Sequence, residues 1–433
     1  MDTGAPPDRA LRRNLPLYVA FSVLFNARFY YPVLGVLFLD LGLTLEQYAL
    51  LNVVWAVAII LLEIPSGALA DVIGRKRMVV LAAALMVAEM TVFCFAPSSP
   101  WLFWLLLLNR LLSGAAEACA SGADEALAFD SLPEEDRDKA WSRVLESLMR
   151  WKSGAFFVAM ISGAALFDRD LMASLLGGTG WVPGTTVRWP VYATLATSVL
   201  CLAVAMGFRE PPASASSGHH AVIRAWQNVL AGAVHVFTSR KILFLMAGAL
   251  LMDSFVRLFL TFASNYYRLI DLPPAVNGLL GSGLALLGFA AAPAARRMTA
   301  RFGAKTNFTI VAALVLLGLA GLPVVWPVWG AWVVIPLGLA MSALQFFTSN
   351  YLNLWTDSRV RATVLSFRGV AFNLGYAAAG LLFARLTAHM RSAHPDAGEN
   401  GIFALAISWL PAAFLVCGIL LWLCLRLTRG RAS

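Results

Sequence analysis

Long apolar runs follow one another along almost the whole chain, from Leu15 to Leu427. Each run is long enough for a helix to cross the roughly 30 Å hydrocarbon core of a bilayer, which takes about 20 residues. The runs do not alternate apolar and polar positions as strands would. Since lipid offers the backbone no hydrogen-bonding partner, a spanning segment must be a helix or part of a closed barrel. The pattern therefore predicts an all-α membrane protein.

The runs divide into twelve predicted transmembrane helices, which we number as spans in chain order. The spans cover residues 15–39, 46–70, 78–96, 101–126, 141–166, 188–207, 241–267, 275–295, 306–325, 329–354, 363–388 and 402–425.

The longest connection lies between the sixth and seventh spans and contains an amphipathic stretch over 221–237. It divides the chain into three parts. We expect an N-terminal six-helix bundle over 1–207, a cytoplasmic linker with an amphipathic helix over 208–240, and a C-terminal six-helix bundle over 241–433.

Composition agrees with a lipid environment. The 433 residues are 60% apolar and 13% charged, whereas soluble domains are about 45–50% apolar and about 25% charged. The five cysteines all fall inside spans without C-x-x-C spacing, and the five histidines lie in loops or at helix ends. We therefore expect no metal site, no disulfide frame and no cofactor. Since neither a P-loop nor a nucleophile elbow is present, the chain is not expected to be an enzyme.

Lysine and arginine residues concentrate in alternate loops. The richest of these loops hold Arg75, Lys76, Arg77, Arg137, Lys139, Arg143, Arg296, Arg297, Arg301, Lys305, Arg359 and Arg361. Cationic loops stay on the cytoplasmic side, so both termini are predicted to be cytoplasmic in a multi-pass protein of the inner (plasma) membrane. The basic excess, 33 residues against 24 acidic ones, is expected to contact anionic membrane lipids rather than nucleic acid.

The two halves repeat each other with an offset of 229 residues. Without gaps, this offset places Arg28 on Arg257 and Gly74 on Gly303. A constant offset across two helices and two loops predicts two pseudo-symmetric bundles. Repeats of this kind build transporters with a solute site near the middle of the membrane.

The segment from Gly67 to Arg77 reads Gly-Ala-Leu-Ala-Asp-Val-Ile-Gly-Arg-Lys-Arg. It resembles the signature G-x-L-A-D-x-x-G-R-[RK]-[RK] between the second and third helices of the major facilitator superfamily. The resemblance implies the major facilitator fold, with twelve transmembrane helices in two pseudo-symmetric six-helix bundles. It also implies a monomeric secondary active transporter that moves a small-molecule substrate by alternating access. The gating residues that it implies are Gly67, Asp71, Gly74, Arg75 and Asp130, the acid that ends the fourth span.

Two further segments resemble one branch of the family. Residues 110–114 in the fourth span are similar to a motif associated with proton coupling, with Ser113 in place of a glutamine. Residues 361–366 resemble the loop before the eleventh helix of drug:proton antiporters. The fifth span lacks the proline-containing run that these antiporters usually carry.

Charged residues near the middle of the spans are candidates for proton coupling, because each costs about 2.5–3.5 kcal/mol to insert. The leading candidates are Glu89 and Glu117, and Asp253 is the third. Arg110 is the expected modulator, since a neighbouring arginine changes how readily a buried carboxylate takes up a proton.

The repeat-related Arg28 and Arg257 are candidates for binding an anionic solute. Their positions are similar to those of paired arginines in organophosphate:phosphate antiporters. Further candidate binding residues on the first and tenth spans are Tyr30, Tyr31, Gln345 and Asn350. We therefore expect a proton-coupled carrier of an organic anion or an amphiphilic metabolite.

Two alternatives remain at this stage. If nearby carboxylates neutralise the two arginines, the chain would be a drug or metabolite:proton antiporter with a neutral or cationic substrate. A non-transporting membrane sensor with the same fold is the other alternative.

Overall fold

The computed structural model describes residues 11–132, 137–177, 184–210 and 221–430, and these residues form helices joined by short turns and loops. The side chain of Asp71, one of the predicted gating residues, and the linker residues 211–220 lie outside the described part.

The N-terminal half contains nine helices within the described ranges. They are α1 (Asn14–Asn26), α2 (Leu34–Asp40), α3 (Leu45–Ile73), α4 (Arg75–Phe95), α5 (Leu102–Ala120), α6 (Ala123–Asp130), α7 (Arg137–Phe167), α8 (Arg169–Leu176) and α9 (Trp189–Met206). A 3₁₀ turn over Tyr31–Val33 precedes α2.

The C-terminal half contains nine further helices in the part of the chain that is described. They are α10 (Ala221–Thr238), α11 (Arg240–Thr261), α12 (Ala263–Leu269), α13 (Pro274–Arg301), α14 (Ala304–Gly321), α15 (Val334–Trp355), α16 (Ser358–Ala393), α17 (Glu399–Ser408) and α18 (Leu410–Gly430). Among them, α10 corresponds to the amphipathic stretch of the linker.

Helices occupy all twelve predicted spans, and eleven helical segments of the described chain are long and apolar enough to cross a membrane. The exception is the fifth span, where α7 is 31 residues long but carries Arg143, Glu146, Arg150 and Lys152 in its first half.

Four predicted spans are interrupted rather than continuous. The first breaks between Asn26 and Tyr31, the fourth at Gly122, the seventh at Phe262 and the twelfth at Trp409. Pro32 has no N–H with which to continue a helix across the first break. Gly122 has a φ of +75°, which a helix cannot contain. Hydropathy reports on lipid exposure and not on backbone angles, so it predicted each span as a single helix.

Contacts between Cα atoms group the chain into two compact units. The first unit comprises Met1–Val33 and Val54–Trp226, and the second comprises Leu34–Val53 and Gln227–Ser433. The core of the first unit forms where α1, α4, α5 and α9 pack together. In the second unit α11 packs on α15, α16 and α18, while α13 and α14 also pack on α15.

The segment Leu34–Val53 belongs to the second unit, although the sequence grouped it with the N-terminal bundle. Gly35 permits this packing, because a Cβ atom there would collide with the side chain of Asn265 on α12. The backbone N–H groups of Gly35 and Val36 donate to Ser264 Oγ at 3.0 and 3.2 Å. Helix α2 therefore packs directly on α12.

Helix boundaries reproduce the 229-residue repeat. Helix α2 begins at Leu34 and α12 begins 229 residues later, and both contain seven residues. The same offset separates the starts of α3 and α13 and the starts of α4 and α14. The repeat found in the sequence is therefore a repeat of helical segments.

Candidate functional site

Arg28 lies in the interruption of the first span, between α1 and the 3₁₀ turn. Its residue is only 2% exposed. The guanidinium forms an ion pair with Glu89 on α4, and its Nε donates to the carbonyl oxygen of Phe25 at 3.2 Å. A charge in a membrane span needs such partners, because lipid and a dry protein interior solvate it poorly.

A second carboxylate faces the same arginine. Glu117 on α5 places its Oε1 atom 3.7 Å from Arg28 Nη2, which is longer than a hydrogen bond. The Glu117 side chain is 33% exposed, whereas the Glu89 side chain is 1% exposed. One arginine therefore has a tightly held, buried carboxylate and a loosely held, accessible one.

Three neighbouring residues complete this cluster. Asn109 on α5 donates from Nδ2 to the backbone oxygen of Glu89 at 2.8 Å, which fixes α4 against α5 beside the ion pair. Tyr30 is buried with its ring 5.5 Å from that of Phe93. Arg110, the residue after Asn109 on α5, is also buried. We call Arg28, Glu89, Glu117 and these neighbours the N-terminal charge cluster.

Tyr31 differs from Tyr30, although the two rings touch edge to face with centroids 5.3 Å apart. Tyr31 is 41% exposed and Tyr30 is 1% exposed. Of the two predicted binding tyrosines, Tyr31 is therefore the one that another molecule can reach.

Arg257 occupies the equivalent position of the second repeat, but it lies within the continuous helix α11. Its Nη2 atom is 2.8 Å from Oδ2 of Asp253, one helical turn earlier. Nη1 donates to Oδ1 of Asn373 on α16 at 3.0 Å, and the guanidinium lies over the ring of Tyr376, 5.5 Å from its centroid. The Arg257 side chain is 28% exposed.

The sequence did not identify Asn373 or Tyr376 as partners of Arg257. They are three residues apart on α16 and therefore lie on one face of that helix. An amide and a tyrosine on one face of an apolar span could have indicated a polar contact from the sequence. Tyr376 also exchanges a hydrogen bond with Thr261 Oγ1 on α11, at 2.9 Å.

Gln345 and Asn350 both lie on α15, where Gln345 is exposed and Asn350 is partly exposed. Five residues of a helix correspond to a rotation of about 140°. The two side chains therefore leave different faces of α15. Gln345 lines a groove between α13 and α15 together with Gly288 and Ser342.

Two of the predicted gating residues meet where α4 begins and α6 ends. Arg75, the first residue of α4, forms an ion pair with Asp130, the last residue of α6, and Arg75 Nη1 also donates to the carbonyl oxygen of Ala126 at 3.1 Å. Gly74 precedes Arg75 with a φ of +98°, a region that favours glycine.

Glu210, which the sequence did not identify, completes this gating cluster. Its two carboxylate oxygens accept the backbone N–H groups of Arg75 and Lys76, each at 2.8 Å. Helix α4 has no acidic residue in its first turn, so Glu210 caps the positive end of the helix.

Gly67, the remaining predicted gating glycine, has open surroundings, since a Cβ atom there would meet nothing within 4 Å. Close packing against a neighbouring residue therefore does not explain this glycine.

A further set of ion pairs lies in the second unit and was also missed. Arg268 binds Asp40 through two hydrogen bonds of 2.7 and 2.6 Å. Arg391 binds Glu46 at 3.1 Å and Glu399 at 2.7 Å. These pairs hold the middle of the 34–53 segment, where α2 ends and α3 begins, within its unit. Their partners are more than 200 residues apart, except for Arg391 and Glu399, and no local pattern could indicate them.

Comparison with known proteins identifies the family. Residues 17–380 match the family model of the Major Facilitator Superfamily. No curated protein matches the sequence significantly.

Several solved structures share the fold at low sequence identity. The nucleoside transporter NupG has a TM-score of 0.70 at 14% identity, covering 96% of this chain and 98% of its own. A bacterial homologue of the human lysosomal transporter Spinster, in an inward-facing and occupied conformation, has a TM-score of 0.68 at 16% identity, covering 99% and 98%. A bacterial homologue of human drug peptide transporters has a TM-score of 0.60 at 13% identity, covering 98% and 100%. With the match of the family model over most of its length, the chain belongs to the Major Facilitator Superfamily.

Proposed function

We propose that this protein is a secondary active transporter that moves a small organic solute across the membrane and couples the movement to protons. The observation that carries the proposal is the unequal sharing of Arg28 between Glu89 and Glu117. This arrangement can gain or lose a proton without leaving a buried charge unpaired.

Proton uptake is assigned to Glu117. Its side chain is 33% exposed against 1% for Glu89, and Glu89 still neutralises Arg28 when Glu117 is protonated. Removing the charge of Glu89 instead would leave the arginine buried beside a carboxylate 3.7 Å away. Loss of a direct partner from a buried ion pair is strongly unfavourable. Glu89 is therefore the permanent partner of Arg28, and Glu117 is the group that changes its protonation.

Solute binding is assigned to the surroundings of Arg257. Its partly exposed guanidinium can donate hydrogen bonds to a carboxylate or phosphate. The amide of Asn373 and the ring of Tyr376 lie next to it. A solute with an anionic group and an apolar or aromatic part fits this combination.

A neutral or cationic solute is the second candidate. It is favoured by the acidic partners that both arginines already have, Glu89 for Arg28 and Asp253 for Arg257. In that case the protein would be a drug or metabolite:proton antiporter, and Arg257 would hold Asp253 in place rather than bind the solute.

Transport assays in proteoliposomes test the proposal. A thermal-shift screen with nucleosides, small peptides, organic anions and organic cations first identifies a stabilising solute, and its flux is then measured with and without a pH gradient. We expect a flux that the pH gradient drives and that Glu117→Gln uncouples. A stabilising solute that the protein binds but never moves would favour the sensor alternative and contradict the proposal.

Arg257→Lys separates the two candidate solutes. Lysine keeps the charge that Asp253 needs but loses the paired hydrogen bonds of the guanidinium. An anionic solute should then bind more weakly, whereas a cationic or neutral one should bind about as well as it does to the parent protein.

We further propose that the protein lies in the plasma membrane with both termini in the cytoplasm. Single cysteines at Lys76 and Asp396, in a background without the native cysteines, test it with a membrane-impermeant thiol reagent. The cysteine at 396 should react from outside and the one at 76 only after the membrane is opened. Labelling of both positions from outside would contradict this topology.

A further inference from the structure

A groove on the second unit runs between α11, α14 and α18 and has a volume of about 710 Å³. It is distinct from the surroundings of Arg28 and Arg257, since neither arginine lines it. One end of the groove is basic, and the rest of its lining is mostly apolar. The basic end contains Arg240, Lys241 and Lys305.

The basic end lies where two helices begin. Arg240 and Lys241 are the first two residues of α11, and Lys305 is the second residue of α14. Neither helix has an acidic residue in its first turn. Cations at the positive ends of two helix dipoles repel the dipoles as well as one another. Both lysines are exposed, and an anion placed between them would convert this repulsion into attraction.

The apolar part of the groove approaches the depth of one membrane leaflet. Along α11 the whole groove extends from Arg240 to Met252, and its apolar part begins at Phe244. From there to Met252 the helix rises by roughly 12 Å, and one leaflet of the hydrocarbon core is about 15 Å deep. At Gly248 the nearest side-chain atom to an added Cβ, a ring carbon of Phe308, is 4.0 Å away, so the glycine keeps the groove open.

Two partly exposed tryptophans border the same groove. Trp355 is 39% exposed and Trp422 is 50% exposed. Tryptophan is enriched at membrane interfaces, where one part of its ring system contacts lipid and the indole N–H contacts polar groups. The groove thus combines cations, tryptophans and an apolar floor, the three kinds of group that suit the headgroup, the interfacial region and the acyl chain of a phospholipid.

We propose that this groove binds an anionic phospholipid of the leaflet that faces the basic loops. The phosphate lies between Lys241 and Lys305, and one acyl chain follows the apolar floor past Gly248 towards Met252. A free phosphate would leave the apolar part unused, and a neutral phospholipid would leave the two lysines uncompensated. The proposal does not depend on the identity of the transported solute.

Native mass spectrometry of the delipidated, full-length protein tests the site. The protein is titrated with phosphatidylglycerol and, separately, with phosphatidylcholine of the same acyl chains. We expect phosphatidylglycerol to bind more tightly, and Lys241→Gln and Lys305→Gln each to weaken it by about fivefold. Arg296→Gln and Arg297→Gln, which change exposed cations of α13 outside the groove, are the matched controls and should leave binding unchanged.

A second variant tests the acyl-chain part without changing any charge. Gly248→Leu places a side chain in the groove, at a helical position where leucine is a better helix former than glycine. It should lower the affinity for phosphatidylglycerol severalfold. Equal affinities for the two lipids, control variants that weaken binding as much as the lysine variants, or full displacement of the lipid by inorganic phosphate would each overturn the proposal. Unchanged binding by Gly248→Leu would also overturn it, because the anion would then bind without its chain.

Discussion

The two repeats place an arginine at the same position and surround it differently. Arg28 lies in a break of its span, has a side chain that is 1% exposed and faces two carboxylates from α4 and α5. Arg257 lies within a continuous helix, is 28% exposed and has one carboxylate, on its own helix, together with an amide. The repeat thus preserves position along the span, whereas the backbone break and the neighbouring helices decide burial and partners.

The loops after the second and eighth spans differ in the same way. Gly74 has a φ of +98° and is followed by Arg75, which binds Asp130. Gly303 has a φ of −72° and is followed by Ala304. Only the first copy therefore requires a glycine for its backbone conformation. In both comparisons the N-terminal copy is the more constrained one, since Arg28 is the more buried arginine and Gly74 is the glycine with a positive φ.

The largest expected effect comes from removing the buried partner of each arginine. Glu89→Gln should lower the free energy of unfolding by about 3–5 kcal/mol, because Arg28 would stay charged and buried without its direct partner. Asp253→Asn should lower it by roughly 1 kcal/mol, since Asn373 still accepts a hydrogen bond from Arg257, whose side chain is 28% exposed. Denaturation in detergent measures both variants. Equal losses would show that the two arginines are held alike.

The second largest expected effect concerns the repeat-related glycines Gly74 and Gly303. Gly74→Ala should destabilise the protein by about 1–3 kcal/mol, because alanine rarely adopts the backbone angles at this position. The new Cβ would also approach a carboxylate oxygen of Glu210 at 2.8 Å and disturb the cap of α4. Gly303→Ala is the matched control. Its backbone angles suit any residue and nothing lies within 4 Å of the added Cβ.

Thermal unfolding of the two alanine variants gives the comparison directly. Gly303→Ala should be neutral or slightly stabilising. If both variants lost the same stability, the backbone of the first loop would not be the cause.

The smallest expected effect is on solute affinity. Arg257→Lys should weaken the binding of an anionic solute by about tenfold, which corresponds to about 1.4 kcal/mol. Arg28→Lys should change affinity less, since Arg28 is buried against Glu89, and should instead reduce stability and coupling. Equilibrium binding of the identified solute to both variants tests this order. A larger loss of affinity in Arg28→Lys would reverse the assignment of the two repeats.

Sequence reasoning located the spans because local hydropathy marks them. It located the repeat because the two halves match at a constant offset. Resemblance to the family indicated both Arg75 and Asp130 as gating residues, and the structure pairs them. It could not indicate Glu210, which reaches α4 from 134 residues away. The break at Arg28 was also missed, since apolar residues on both sides conceal it in a hydropathy pattern.

The partners of the two arginines could not be decided from the sequence, because they depend on which helices pack together. Glu89 and Glu117 were both plausible partners of Arg28, and only the distances and exposures separate them into a buried partner and an accessible one. Asn373 lies 116 residues from Arg257, and its contact depends on how α16 packs on α11.

Infrared difference spectroscopy of the reconstituted protein, recorded as the pH is lowered, tests the central assignment most directly and requires no solute. A carboxyl group that takes up a proton gains the C=O band of a carboxylic acid. The account predicts that one component of this band appears in the parent protein and is lost in Glu117→Gln, and that in Glu89→Gln it appears only at lower pH, because Glu117 is then the only carboxylate that neutralises Arg28. An undiminished band in Glu117→Gln would contradict the account, because another group would then carry the proton.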